Sequence, residues 1–422
     1  MVNDSSRRLL ALTYYYPPIK SIASVRSRNF VQQATRHFQA VHVFTTRNRR
    51  ALPSDDYAPA PGIRPVALPT LDFRTIFPKP AVKYKAGGVN TLYNLLNSFP
   101  FDLLAGIGGL VYIFSGVIRG MFHIRRHRIT HLYSSYFPYA DHYTAFVLTL
   151  FFPRLVWIAD FRDLRVDPAR PEVVWPRLQQ WIDRQVLRRA SMVTTVSNGL
   201  ATHLRQIHPR VHVLRNAIPE ELLQLAPNRE VPEKFTITYT GNLYAGKRDP
   251  RYLFRTLQDL IAAGELPKEE LQLRYAGSNG ADWLAMAEEF GLAECATDLG
   301  MLPYAEALRF QRESSVNLLL SWSSPESQGI LTGKFYEYIA ARRPILLILS
   351  GTTDPEFEQL FEEHALGCVS YDRAAVPDAA LEAFLREQYL NWKNAQQSIL
   401  SAEAGRYFSW SRGMDDLIKQ LD

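Results

Sequence analysis

Lys334 and Glu337 stand three residues apart in the stretch GILTGKFYEYIAARRPILLI, residues 329–348. A lysine beside the open N–H groups of a helix start makes an anion site. A carboxylate one turn further in accepts hydrogen bonds from neutral hydroxyls. Phosphate and vicinal hydroxyls together are the chemistry of a nucleoside diphosphate and its ribose. The pattern around them predicts a turn, a short helix and a buried strand. Gly329 and Gly333 allow backbone shapes that other residues resist. Residues 335–341 form an amphipathic run, and Arg342 and Arg343 follow where positive charge suits the helix dipole. Pro344 stops the helix, and the apolar run 345–349 suits a parallel strand buried on both faces. The competing reading is an ordinary helix cap in a doubly wound domain.

The elements that must hold such a site alternate along the chain. Residues 8–14, 41–45, 130–134, 155–160, 192–196 and 211–214 read as strands, with helices over 24–38, 141–151 and 181–189 between them. Residues 51–80 are rich in proline and read as irregular. After the break APNREVPEK at 226–234 a second series begins, with strands at 236–240, 271–276 and 316–320. Small or polar loops follow these three strands: Gly241-Asn242, Gly277-Ser278-Asn279-Gly280 and residues 321–324. Alternating strands and helices predict parallel sheets covered on both faces, with ligands beyond the carboxyl ends of the strands. The fold class expected is α/β, with two doubly wound, Rossmann-like domains facing a cleft.

Composition agrees with a folded chain of that size. The 422 residues exceed what a single core supports, and 47% hydrophobic with 21% charged residues exclude a disordered protein. Cys295 and Cys368 have no motif spacing and point to neither a disulfide framework nor a zinc site. The formal charge of +6 suggests an anionic partner. No basic segment followed by an apolar one opens the chain, so export is not expected.

Segment 329–348 resembles the donor-binding motif of the GT-B glycosyltransferases, in particular the retaining family 4 enzymes. In that family a loop and helix bind the donor diphosphate and a glutamate grips the ribose. Glu337 matches that glutamate, whereas the family's first glutamate, eight residues earlier, is Gly329 here. Further pieces follow in the family's order. YYYPPIKSIASVRSRNF is similar to its first loop, with Ile22, Ala23 and Ser24 where glycines are common and Arg26 and Arg28 behind them. VWIADFRDLRVD at 156–167, RASMVTTVSNGLATHL, VHVLRNAIP at 211–219, YTGNLYAGKRDP at 239–250 and YFSWSRGMDDL at 407–417 resemble later family segments. The resemblance implies an N-terminal acceptor-side domain over 1–222, a nucleotide-sugar domain over 223–400 and a C-terminal helix, 401–422, crossing back to the first.

The resemblance also assigns roles. The donor would be held by Gly241, Asn242, Arg248, Gly277, Gly329, Ile330, Leu331, Thr332 and Glu337. Asn242 stands where the family has an arginine, and Lys247 keeps the family's lysine. Lys247 and Lys334 would stabilise the charge that grows on the leaving diphosphate. A solvated surface pair is the other reading of Lys247 and Arg248. Asp160, Arg162 and Asp163, in DFRD just past an apolar strand, would meet sugar hydroxyls; alternatively Arg162 pairs with one of the aspartates to lock the loop. No catalytic base is implied, and neither a metal nor a separate cofactor is expected.

Residues 101–122, FDLLAGIGGLVYIFSGVIRGMF, approach membrane-spanning length, but Asp102, Arg119 and five glycines interrupt them. HIRRHR follows at once. Apolar surface beside basic residues predicts a helix lying on an anionic membrane surface. A core-facing helix is the alternative. The expectation is therefore a cytoplasmic transferase, peripheral at the inner face of the cell membrane. It would move a sugar from a nucleotide diphosphate sugar to a glycan or lipid-linked acceptor and would bind no nucleic acid. A sugar-nucleotide epimerase of the same fold, or a non-catalytic nucleotide-sugar-binding protein, is the alternative.

Overall fold

The computed structural model describes residues 7–48, 58–72, 92, 94–167, 173–244, 247–325, 328–372 and 378–421. The chain divides into two compact units, 1–215 with 413–422, and 216–412.

The first unit holds a seven-stranded sheet built from β1 (Arg8–Leu12), β2 (Ala40–Thr46), β3 (Val66–Leu68), β4 (His131–Tyr136), β5 (Val156–Phe161), β6 (Met192–Thr195) and β7 (Val211–Val213). Its order is β3-β2-β1-β4-β5-β6-β7, and the paired strands are parallel. The chain therefore reverses direction across the sheet between β1 and β4, the switch point of a doubly wound sheet. β3 lies inside the stretch expected to be irregular and corrects that expectation; residues 51–57 and 73–80 of the same stretch lie outside the described residues.

The second unit holds six parallel strands, β8 (Phe235–Thr240), β9 (Leu271–Ala276), β10 (Ala296–Asp298), β11 (Val316–Ser323), β12 (Ile345–Gly351) and β13 (Gly367–Tyr371). They run in the order β10-β9-β8-β11-β12-β13, with the switch point between β8 and β11. The sequence pattern misses the edge strands β10 and β13, which are half-solvated and lack a continuous apolar run. Alternation along the central strands builds two cores. Leu318 and Leu320 of β11, with Leu346 and Ile348 of β12, face one apolar cluster. Leu319, Ile345, Leu347 and Leu349 face the other, which includes Phe335, Tyr338 and Ile339. Successive strand residues point to opposite faces, so a strand covered on both sides needs an unbroken apolar run. Each such side chain contributes about 1.5–3 kcal/mol when fully buried.

Four helices matter below: α1 (Ile22–Ala34), α2 (Gly109–His127), α3 (Ala140–Phe151) and α4 (Gly333–Ala341). The apolar stretch 101–122 is not one helix. It turns at residues 105–108, with Gly108 at φ 94° and Gly109 at φ 60°, and α2 begins only there. Among the described residues no helix is long and apolar enough to cross a membrane.

Two expectations for the α4 segment are corrected. Gly333 has no left-handed backbone, whereas Gly329 does, at φ 68°. Arg343 does not serve the helix dipole from the surface. It is fully buried, and its guanidinium donates to the carbonyls of Arg312, Asn228 and Ser398. Burial first, then the nearby Arg312 charge, lowers its pKa to about 10. It fastens three separate segments of the second unit through backbone acceptors.

Candidate donor site

A cavity of about 310 Å³ opens at the switch point of the second sheet. Its walls are the carboxyl ends of β8 (Tyr239, Thr240) and β9 (Ala276), the loop residues Gly241, Asn242 and Gly277, Leu319 and Leu320 of β11, and the start of α4 (Thr332, Lys334). Arg248, Met301, Leu302 and Ala307 complete it. Six of the residues expected from sequence to hold a donor or its diphosphate thus line one space: Gly241, Asn242, Arg248, Gly277, Thr332 and Lys334.

Glycine is required where the loops cross. A Cβ on Gly277 would sit 2.2 Å from the Gly241 carbonyl oxygen, inside any real contact distance. Gly241 itself takes φ 154° as it leaves β8. Asn242 accepts a hydrogen bond from Ser278 Oγ at 2.9 Å, and its carbonyl accepts one from Tyr239 Oη at 2.8 Å. Asn242 thus ties the two loops together.

A guanidinium reaches the cavity from elsewhere. Arg248 lies over the rings of Tyr244 and Trp322, 4.9 and 5.2 Å from their centroids, and its Nε is buried without a hydrogen-bond partner. Lys247 Nζ sits 5.0 Å from the Trp322 centroid and is not among the residues lining the cavity. Trp322, near the end of β11, is the residue that sequence reading missed. Its only signal is an aromatic in a strand-end loop otherwise made of serines.

At the start of α4, Thr332 makes no side-chain cap. Lys334 Nζ donates to Glu337 Oε2 at 2.9 Å, and Gln311 Nε2 donates to the same oxygen at 3.1 Å. Gln311 Nε2 also reaches Thr240 Oγ1 at 2.9 Å, so Glu337 is tied to the end of β8. Leu331 is half-buried against the apolar cluster beneath α4, and Ile330 is also half-buried. Gly329 N–H donates to Asp354 Oδ2 at 2.8 Å, and Leu331 N–H closes the turn onto the Gly329 carbonyl. Asp354 is fully buried and caps the next helix through Glu356 and Phe357. It anchors the turn and does not stand in for the missing glutamate.

The first unit treats its three expected site residues differently. Asp160 is fully buried, and both carboxylate oxygens are occupied. Arg26 of α1 binds them from 2.6 and 3.0 Å, Thr194 donates to Oδ1 at 2.8 Å and Tyr133 to Oδ2 at 2.9 Å. Burial alone would raise this carboxyl, but the Arg26 charge and the hydrogen bonds from Arg26, Thr194 and Tyr133 hold it below the usual range. The expected sugar contact by Asp160 is thus corrected: its oxygens are spent on the fold. Arg26 also donates to the Leu214 carbonyl at 3.0 Å, which joins α1, β5 and the end of β7. Arg162 does not pair with Asp160 either; its Nε donates to the Tyr136 carbonyl at 3.0 Å.

Arg162 and Asp163 do reach open space. They line a second cavity of about 300 Å³ together with Asn97, Ser98, Phe137 and Gln179. Nothing in the sequence singles out the neighbouring Arg165. It is nearly buried between Asp102 at 2.6 Å and Asp183 at 3.0 Å, and lies 4.0 Å from the Tyr139 ring centroid.

No family model matches the chain, and no curated protein does. Solved structures do match it over almost its full length. Sucrose-phosphate synthase from Thermosynechococcus elongatus aligns at TM-score 0.55 and 16% identity, over 98% of this chain and 99% of its own. A glycosyltransferase from Rickettsia africae ESF-5 aligns at TM-score 0.59 and 11% identity, over 98% and 97%. WaaG, a glycosyltransferase involved in lipopolysaccharide biosynthesis, aligns at TM-score 0.51 and 14% identity, over 97% and 99%. At these identities the likeness concerns the fold, and the fold is the two-domain GT-B architecture, two Rossmann-like units with sheets of seven and six parallel strands.

Proposed function

We propose that the protein is a glycosyltransferase that transfers a sugar, with retention of configuration, from a nucleotide diphosphate sugar to a glycan or lipid-linked acceptor in cell-surface polysaccharide synthesis. One observation carries this reading. The cavity at the switch point of the second sheet brings together Lys334, Arg248 and the uncapped start of α4. A diphosphate placed there meets two cations and a helix N-terminus. As the glycosidic bond breaks, negative charge grows on the leaving phosphate, and groups already fixed around it stabilise that charge. The diphosphate is thereby held by basic side chains and backbone, without a call on a metal ion or a separate cofactor. Glu337 would receive the ribose hydroxyls, and Arg162 and Asp163 would meet the acceptor side. The resemblance to family 4 enzymes and the GT-B neighbours support the same reading. In the cell it would work in the cytoplasm at the inner face of the membrane, without nucleic acid.

The test is a panel of nucleotide diphosphate sugars offered with an acceptor extract, with products read by mass spectrometry. A glycosylated product with the anomeric configuration of the donor is the expected result. A donor converted to its epimer without acceptor would make the protein an epimerase. Nucleotide-sugar binding without turnover would make it a binding protein.

A further inference from the structure

Helix α2 is amphipathic in the unusual sense: its outer face is apolar. Tyr112, Ile113 and Ile124 are buried. Gly116 and Gly120 let it press against α3, since a Cβ there would come within 2.9 Å of Thr144 Cγ2 and Leu148 Cδ1. The other face carries Leu110, Phe114, Ile118 and Phe122, all exposed and four residues apart, so they form one stripe along the helix. Phe114 is 64% and Phe122 71% exposed. Val111 widens the stripe, and Leu150 and Phe151 at the end of α3 are exposed as well. A run of large apolar side chains in water marks a surface that something covers.

Charge says what covers it. Arg119, Arg125, Arg126 and Arg128 are exposed at or beyond the C-terminal half of α2, and no aspartate or glutamate occurs between residues 103 and 140. An apolar stripe at the level of acyl chains, with arginines placed for phosphate headgroups, fits a helix lying in a bilayer interface. A second copy of this chain would bring the same arginines against each other.

We propose that the outer face of α2 docks the first unit on an anionic lipid bilayer, with Phe114, Ile118 and Phe122 inserted among the lipids and Arg125 and Arg126 on the headgroups. The proposal deepens the membrane-side placement above, on which it rests, by naming the surface. It also means that the helix serves two environments at once, with its glycine face on α3 and its phenylalanine face on lipid. That combination joins the two readings the sequence left as alternatives.

The experiment is flotation of the full chain with phosphatidylcholine vesicles, with and without phosphatidylglycerol. The wild-type protein floats with the anionic vesicles. F114S together with F122S lowers partitioning by about tenfold or more, because the inserted apolar area is lost. R125E together with R126E lowers it by about tenfold or more on anionic vesicles and leaves neutral vesicles unaffected. Raising salt from about 0.1 to 1 M shortens the screening length from about 10 to 3 Å and weakens binding of the wild type. All four substituted side chains are exposed, so both variants keep their circular dichroism and their calorimetric nucleotide titration. Wild-type protein that stays at the bottom of the gradient overturns the proposal. So does a dimer in light scattering that F114S/F122S converts to monomer while neither floats, since the stripe would then be a self-interface. Flotation as expected in a protein that binds no nucleotide leaves the docking surface standing and removes the transferase reading.

Discussion

Lys334 Nζ donates to Glu337 Oε2 across 2.9 Å, one turn along α4, and Gln311 Nε2 meets the same oxygen from 3.1 Å. The cation assigned to the diphosphate and the carboxylate assigned to the ribose are thus held at fixed spacing by each other and by the end of β8. Such spacing matches a ligand that carries phosphate and hydroxyls a few ångströms apart. It also means that removing either residue disturbs the other.

Glu337→Ala is expected to weaken binding of the preferred nucleotide while the protein stays folded, since Glu337 is half-buried and not part of the apolar core. A hydrogen bond to a charged group contributes about 1.5–3 kcal/mol, so the affinity should fall by at least tenfold. Calorimetric titration measures it. Unchanged affinity in a folded variant would take Glu337 out of the site.

The three basic residues of the site are expected to separate. Lys334 and Arg248 line the cavity, whereas Lys247 sits against Trp322. Lys334→Ala and Arg248→Ala should each lower turnover by about a hundredfold to a thousandfold, the usual effect of losing one preorganised transition-state group. Lys247→Ala should cost distinctly less. Steady-state kinetics on the three variants checks the order, and a Lys247 loss as large as that of Lys334 would show that Lys247 serves the phosphate as well.

What could be read from the sequence was local. The run from Gly329 to Leu349 announces turn, helix and strand because all its signals lie within one stretch. The loops after β8 and β9 are legible because Gly241 and Gly277 follow apolar strands directly. The partners of Asp160 were not legible: Arg26 lies 134 residues earlier, and nothing near DFRD points to it. Arg343 looks like a surface partner of the helix dipole for the same reason, since its acceptors come from residues 312, 228 and 398. Charged groups whose partners are distant in sequence look like surface or site residues until the fold brings the partners in.

Asp160→Asn tests that distinction. Removing one charge of a fully buried pair leaves Arg26 uncompensated, which typically costs about 3–5 kcal/mol. Denaturant unfolding should therefore show a large loss of stability, while nucleotide affinity of the second unit, measured below the transition, stays at the wild-type value. Full stability with lost turnover would restore Asp160 to the chemistry.

His142 supplies a pH test of the first unit. Its Nδ1 lies 2.7 Å from Ser134 Oγ, which itself accepts a hydrogen bond from Trp157 Nε1 at 2.8 Å. Its Nε2 is buried without a hydrogen-bond partner, so nothing on that side of the ring compensates a charged imidazolium. Burial lowers the His142 pKa to about 3, with Asp160 opposing and Arg165 reinforcing the shift. The unfolded chain takes up this proton as pH falls through about 6.5, and the folded chain does not. The stabilisation is therefore complete above about 6.5 and is lost progressively as pH falls toward 3. His142→Phe keeps a ring but cannot titrate. Between pH 6.5 and 5 the wild type should lose up to about 2 kcal/mol more than the variant, at about 1.4 kcal/mol per pH unit. At pH 7.5 the variant should be the less stable of the two, because Ser134 loses its hydrogen-bond partner on the ring. Melting temperatures of both proteins across this range decide the matter: parallel curves would mean that His142 is not the group that makes the first unit sensitive to acid.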